Sequence, residues 1–171
     1  MCLFDCRWRI SSDQQYDASR LDEIWCWNRI KKTLKYSTCE GNLREFPITV
    51  LLIDDNHAIA RLMGHLFALT EFASVTFLHA DTVEDGLETL ASEPVDLVFL
   101  DNRVPPHQRF EDPLREINAC SSAKVILLTG TDLEDLGYDA LPASLDGFLS
   151  KNDMSPASLT GILKQVCFAI R

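Results

Sequence analysis

Between Pro94 and Pro106 the chain reads PVDLVFLDNRVPP, an apolar run from Val95 to Leu100 broken by Asp96 and ending abruptly on Asp101. A short run of Val, Phe and Leu bounded by proline predicts a strand buried on both faces, the kind found in parallel sheets. Asp101 then stands at the carboxyl end of that strand. In open α/β sheets the loops leaving the carboxyl ends diverge and open a crevice, so an acidic residue there is placed for chemistry rather than packing.

The pattern repeats on both sides. Ile48 to Ile53 predicts a buried strand ending on Asp54 and Asp55, and Asn56 caps a helix running to about Thr70 with Ile59, Leu62, Met63, Leu66 and Phe67 inward. Val75 to Leu78 is a weaker second strand. A helix follows from Asp81 or Thr82 through Leu90, with Val83, Leu87 and Leu90 on one stripe. After the third strand, Asp112 and Pro113 are expected as N-cap and first helical residue of a short helix to about Asn118. Lys124 to Leu128 predicts a fourth strand ending on Thr129 and Gly130. Thr131 or Asp132 then caps a helix to Leu141, weakened by Gly137. Asp146 to Leu149 predicts a fifth strand, with Lys151 two residues on, and Ser155-Pro156 opens a last helix through Ile170 with Leu159, Ile162, Leu163 and Val166 inside. Five successive βα units imply an α/β domain, a doubly wound five-stranded parallel sheet with helices on both faces.

Charge divides the chain near Pro47. Residues 1–46 carry eight basic and seven acidic side chains, net +1, which leaves 8 minus 19, or −11, on residues 47–171. A domain of about 125 residues buries roughly two thirds of its unfolded surface, enough for a core without disulfides or structural metal. The first part reads as an extension with one helix, Asp17 to Tyr36, acidic in its early turns and basic in its last, as the helix dipole favours. Its Leu21, Ile24, Trp25, Trp27, Ile30 and Leu34 cover too wide an arc for a helix left in water.

The overall charge of −10 argues against nucleic acid or anionic lipid as partners. No apolar run has the length of a membrane span, and Asp5, Arg7 and Arg9 break up any signal-peptide core, so a cytoplasmic protein is expected. The six cysteines show no CxxC pair and no zinc-type spacing with His, which fits free thiols in a reducing compartment.

Four of the five predicted strands thus deliver polar residues to one sheet edge: Asp54 and Asp55, Asp101, Thr129, and Lys151. Three carboxylates in one crevice repel one another unless a cation intervenes, and a hard divalent ion such as Mg²⁺ meets that need while leaving positions for a phosphate. Lys151 and the Thr129 hydroxyl are suited to phosphoryl oxygens, and Asp101 is the candidate nucleophile.

With LLIDD, LDNRVPP, LLTG and DGFLSK in this order, residues 47–171 resemble a response-regulator receiver domain of two-component signalling, a CheY-like, flavodoxin-like fold. The resemblance implies that Asp101 is the phosphorylated residue and that Asp54 and Asp55 are the acidic Mg²⁺ pair. It implies further that Asp101 and the Arg103 main-chain carbonyl join the metal, that Thr129 is the switch hydroxyl, Lys151 the phosphate-binding lysine and Phe148 the switch aromatic. A histidine kinase or histidine phosphotransfer protein is the implied donor, and a downstream protein or a second copy the implied target. The expected protein is a stand-alone phospho-accepting switch, not an enzyme beyond autophosphatase activity, since no output domain follows the last predicted helix. Two departures stand out: VPPHQRFED has a second proline and no glycine, and LPASLDG replaces a commoner Ala-Gly-Ala-Asp pattern. The alternative is a phosphorylation-independent interaction module or a nucleotide-second-messenger effector using Arg103 and Arg109. An aspartyl phosphohydrolase is disfavoured, because Arg103 stands where such enzymes place a second acid.

Overall fold

The computed structural model describes residues 47–72 and 74–169; the 1–46 extension, with its predicted Asp17 to Tyr36 helix, lies outside the described residues. The strands are β1 (Ile48–Ile53), β2 (Val75–Ala80), β3 (Leu97–Asp101), β4 (Lys124–Thr129) and β5 (Gly147–Ser150). The helices are α1 (His57–Ala68), α2 (Val83–Ser92), α3 (Glu111–Cys120) and α4 (Pro156–Ala169). All paired strands run parallel in the order β2-β1-β3-β4-β5, so β3 is central.

Alternation along the strands divides the interior into two cores, one on each face of the sheet. Val50, Leu52, Leu97 and Phe99 meet Met63 and Phe67 of α1 and Leu159, Leu163 and Val166 of α4. Leu51, Ile53, Val98 and Leu100 meet Val83 and Leu90 of α2 and Leu114 and Ile117 of α3. Each large side chain so enclosed contributes about 1.5–3 kcal/mol. On the second face, an added Cβ at Gly86 would stand 2.5 Å from Ile53 Cδ1. Glycine therefore lets α2 lie closer to β1 than alanine permits unless Ile53 moves.

Two aspartates pin the strand starts. Asp96, just before β3, accepts a hydrogen bond from Thr49 N at 2.9 Å, while its own N–H donates to Thr49 O at 2.9 Å. Asp146, just before β5, accepts from Val125 N at 2.9 Å and pairs with Lys124 Nζ at 2.7 Å. Because a shift of one residue would turn every side chain to the wrong face, these clips guard the register.

Three expectations need correction. The helix expected from Thr131 or Asp132 to Leu141 is a single turn, Leu133–Gly137, so the fourth connection carries no helix. Tyr138 N donates to Leu133 O and Gly137 N to Glu134 O, both at 2.9 Å, and Gly137 has φ +88°. Those bonds form a Schellman closure with a left-handed glycine, which ends a helix, here after its first turn. The third helix starts at Glu111, not at an Asp112 cap, with Phe110 at the N-cap and Pro113 third in the helix. Proline is tolerated there because N–H groups of the first turn have no intrahelical partner. Leu62 is 44% exposed, since Ala60, Met63 and Phe67 take the buried positions of α1 and the apolar arc is wider than the sheet covers. Smaller shifts are the start of β5 at Gly147 and of β3 at Leu97.

Candidate functional site

The parallel sheet brings Asp54, Asp101, Thr129 and Lys151 to its carboxyl edge, as the sequence predicts. Lys151, the first residue after β5, reaches inward across the neighbouring strands. Its Nζ lies 2.8 Å from Asp54 Oδ2 and 2.9 Å from Asp101 Oδ1. The second oxygens are also engaged: Asp54 Oδ1 accepts from Asn56 N at 2.9 Å, and Asp101 Oδ2 accepts from Arg103 N at 3.2 Å. Asp54 thus serves both the crevice and the entry to α1, where Asn56 in turn accepts from Ala58 N. One carboxylate oxygen from each of Asp54, Asp55 and Asp101 lies within 4.8 Å of the other two.

Burial sets the electrostatics. Asp54 is completely buried, and that burial pushes its carboxyl above the ordinary value despite Lys151 and the Asn56 N–H. For Lys151, burial alone would lower the ammonium's pKa, but the bonds to Asp54 and Asp101 outweigh it and hold the pKa above the usual lysine value. Two carboxylates thus share one ammonium while Asp55 stands exposed at the rim. An excess of negative charge on hard oxygen donors, one of them in a solvent-free position, fits a divalent cation of the Mg²⁺ kind.

Thr129 ends β4 and is buried, its Oγ1 accepting from Thr131 N at 3.1 Å. That leaves the hydroxyl's own hydrogen to donate elsewhere. Phe148 is half-buried on β5, opposite Leu127 in the register, against the core that holds α2 and α3. Arg103 is exposed. Arg109 is engaged away from the crevice, donating to Leu136 O at 2.9 Å and pairing with Glu111 at 2.8 Å.

Sequence reasoning missed His79 at the end of β2. Its Nε2 lies 2.8 Å from the Asp54 carbonyl, to which it donates as N–H, and so it braces the loop that carries the acidic pair. The sequence carried no more than a histidine one residue before the end of β2; its nearness to Asp54 comes from the pairing of β1 with β2.

The sequence profile of the response regulator receiver domain matches residues 50–164. The nitrate/nitrite response regulator protein NarL of Escherichia coli is 31% identical over 121 residues, 70% of this chain and 54% of NarL. The chain spans about half the length of the curated relatives it matches. Among solved structures, the signal receiver domain of an HD domain-containing protein from Pseudomonas fluorescens superposes with a TM-score of 0.61 at 24% identity, over 78% of this chain and 94% of that one. The receiver domain of a sensor histidine kinase from Pseudomonas aeruginosa, solved with a magnesium ion coordinated in its active site cleft, gives 0.59 at 20% identity, over 70% and 96%. At these identities the structural likeness speaks for the fold.

Proposed function

This chain belongs to the response regulator receiver domain family, and on that premise we propose that it is a phosphorylation switch of two-component signalling with Asp101 as the acceptor. The donor is a phosphohistidine on a histidine kinase or histidine phosphotransfer protein. An Asp101 carboxylate oxygen attacks phosphorus, the P–N bond breaks, and its electron pair leaves on the donor's imidazole. The observation that carries the reading is the Lys151 ammonium held between Asp54 and Asp101, a cation already placed beside the attacking carboxylate.

Once the phosphoryl group is on Asp101 as an acyl phosphate, Lys151 has an anionic phosphoryl oxygen to pair with in place of the carboxylate charge lost to the new anhydride bond. The Thr129 hydroxyl donates its remaining hydrogen to a second phosphoryl oxygen, and the resulting pull on the end of β4 frees space for Phe148 to change its packing. Asp54, Asp55, Asp101 and the Arg103 carbonyl would hold Mg²⁺, which when bound neutralises charge on the phosphoryl oxygens. Signalling then follows from altered binding to a downstream protein or a second copy of the chain. Residues 47–171 form the switch unit, working in the cytoplasm, with autophosphatase activity as its only turnover. No helix among the described residues is long and apolar enough to cross a membrane.

Incubation with acetyl phosphate and Mg²⁺ tests the reading. A base-labile label that disappears in Asp101→Ala, with the circular dichroism spectrum unchanged, is expected. Label that persists without Asp101 overturns it.

A further inference from the structure

We propose that His57, His79 and Asp81 form a second metal site, for a divalent transition-metal ion of the zinc class, at the carboxyl ends of β1 and β2 and separate from the carboxylate crevice. Asp81 Oδ1 lies 3.5 Å from His57 Nδ1 and 3.3 Å from His79 Nε2. A ligand atom from each of the three lies within 4.8 Å of the other two. In a tetrahedral site with bonds of about 2.0–2.1 Å, neighbouring ligand atoms stand about 3.3–3.4 Å apart. Both edges that involve Asp81 match that spacing. The imidazole rings meet edge to face, centroids 5.5 Å apart at 75°, so they converge without stacking on one another.

Donor chemistry separates this cluster from its neighbour. Two imidazole nitrogens and a carboxylate suit zinc-class ions, whereas Mg²⁺ prefers a set of oxygens such as the three crevice carboxylates. The backbone positions are fixed by the sheet, because Ile53 and Ala80 are paired in register and Asp81 and His57 leave the ends of those two strands. His57 is 65% exposed and Asp81 49%, so an ion has an open approach, while His79 at 20% anchors the site.

In the metal-free protein His79 Nε2 carries the proton given to the Asp54 carbonyl at 2.8 Å. Ligation by that nitrogen requires the proton to move to Nδ1, leaving the ring neutral and releasing the Asp54 carbonyl. The carbonyl now occupies the direction in which that nitrogen would bind an ion, so it must move aside when the ion enters. Occupancy of the second site would therefore be felt in the loop that carries Asp54 and Asp55.

The test titrates the full chain with Zn²⁺ by calorimetry and with Co²⁺ by visible absorption, in excess Mg²⁺ so that the crevice is not the receiving site. The expected result is saturable binding and a Co²⁺ d–d spectrum without thiolate charge transfer, which excludes the cysteines as ligands. His57→Ala, at an exposed position that leaves the fold intact, and His79→Gln should each weaken Zn²⁺ about tenfold or more, as loss of even an outer partner of a metal ligand does. Unchanged affinity in His57→Ala, thiolate charge transfer, or loss of binding in Asp55→Asn instead would overturn the site. These outcomes are independent of labelling at Asp101, so this proposal and the phosphorylation reading fail separately.

Discussion

Asp54 and Asp101, delivered by adjacent strands, share the ammonium of Lys151 at 2.8 and 2.9 Å. The sharing makes the crevice a balance of charges in which one cation answers two carboxylates, one of them out of contact with water. Its behaviour should depend on which cation is present and on the protonation of the buried partner.

Removing Lys151 leaves Asp54 without its cation. Breaking a fully buried pair costs about 3–5 kcal/mol, but Lys151 is 19% exposed and Asp54 can take up a proton, so Lys151→Met should cost about 1–3 kcal/mol in urea denaturation. Mg²⁺ should narrow the gap by supplying another positive charge. An equal loss with and without Mg²⁺ would show that the lysine's role is packing.

Mg²⁺ itself should stabilise the fold, by about 2.7 kcal/mol at a hundredfold excess over its dissociation constant. Asp55→Asn, at the exposed rim, should lose most of that gain without losing metal-free stability. Thermal melts with and without Mg²⁺ decide it, and an undiminished gain in the variant would move the ion elsewhere.

The pH dependence has a definite sign. Burial raises the Asp54 pKa above its ordinary value of 3.8, so the ionised form costs stability above the folded pKa, and the cost vanishes below the unfolded one. In metal-free protein Asp54→Asn should therefore be more stable than the parent at neutral pH, and the difference should close as the solution is acidified through the raised value. Lys151, raised from 10.5 by its two partners after burial is overcome, contributes stability that is present below 10.5 and lost as pH rises through its folded pKa. A difference between the Asn variant and the parent that stays flat across the acid range would contradict this assignment.

Asp96 is expected to matter for stability and not for phosphorylation. Its carboxylate takes the buried Thr49 N–H, and Asp96→Ala should leave that donor unpaired at a cost of about 1–3 kcal/mol. Urea midpoints measure the loss, while labelling by acetyl phosphate under native conditions should continue.

Arg103 follows Asp101 by two residues, exposed and with a long cationic side chain able to lean over a phosphoryl group and obstruct the attacking water. Arg103→Ala should shorten the half-life of the phosphorylated form in Mg²⁺. An unaltered half-life would make it an ordinary solvated arginine.

The strand ends were legible because their signal is local: a buried apolar run that stops on a charged residue positions that residue by itself, as with Ile53-Asp54 and Leu100-Asp101. The failed helix after β4 had the same kind of local support, a capping Thr or Asp and leucines at Leu133 and Leu136. What stopped it was the left-handed turn at Gly137, and propensity priced that glycine only as a weakness. Asp96 read as an interruption of an apolar run, since its partner Thr49 is 47 residues away. The cluster of His57, His79 and Asp81 was invisible for a related reason: only the pairing of β1 with β2 makes those positions neighbours.

The turn that replaces the fourth crossover helix also sets how the domain opens. From Asp132 to Leu145 the backbone bonds that hold the segment in shape, such as Tyr138 N to Leu133 O and Leu145 N to Pro142 O, close upon the segment itself. Among the described residues its side-chain hydrogen bonds lead to α3 or to Arg109, two residues ahead of it: Arg109 to Leu136 O, Tyr138 Oη to Glu111 at 2.8 Å, and Asn118 to Ser144 O at 3.1 Å. Although Leu133, Leu136, Tyr138 and Leu145 rest on the core, such a strap should unlatch at a free energy below that of global unfolding. Its amides should exchange with solvent deuterium early and together, while those of β1, β3 and β4 wait for the whole sheet to come apart. Repositioning the strap breaks no rung of the ladder between β4 and β5, so this side of the domain can change shape while the carboxylates on β1 and β3 keep their spacing.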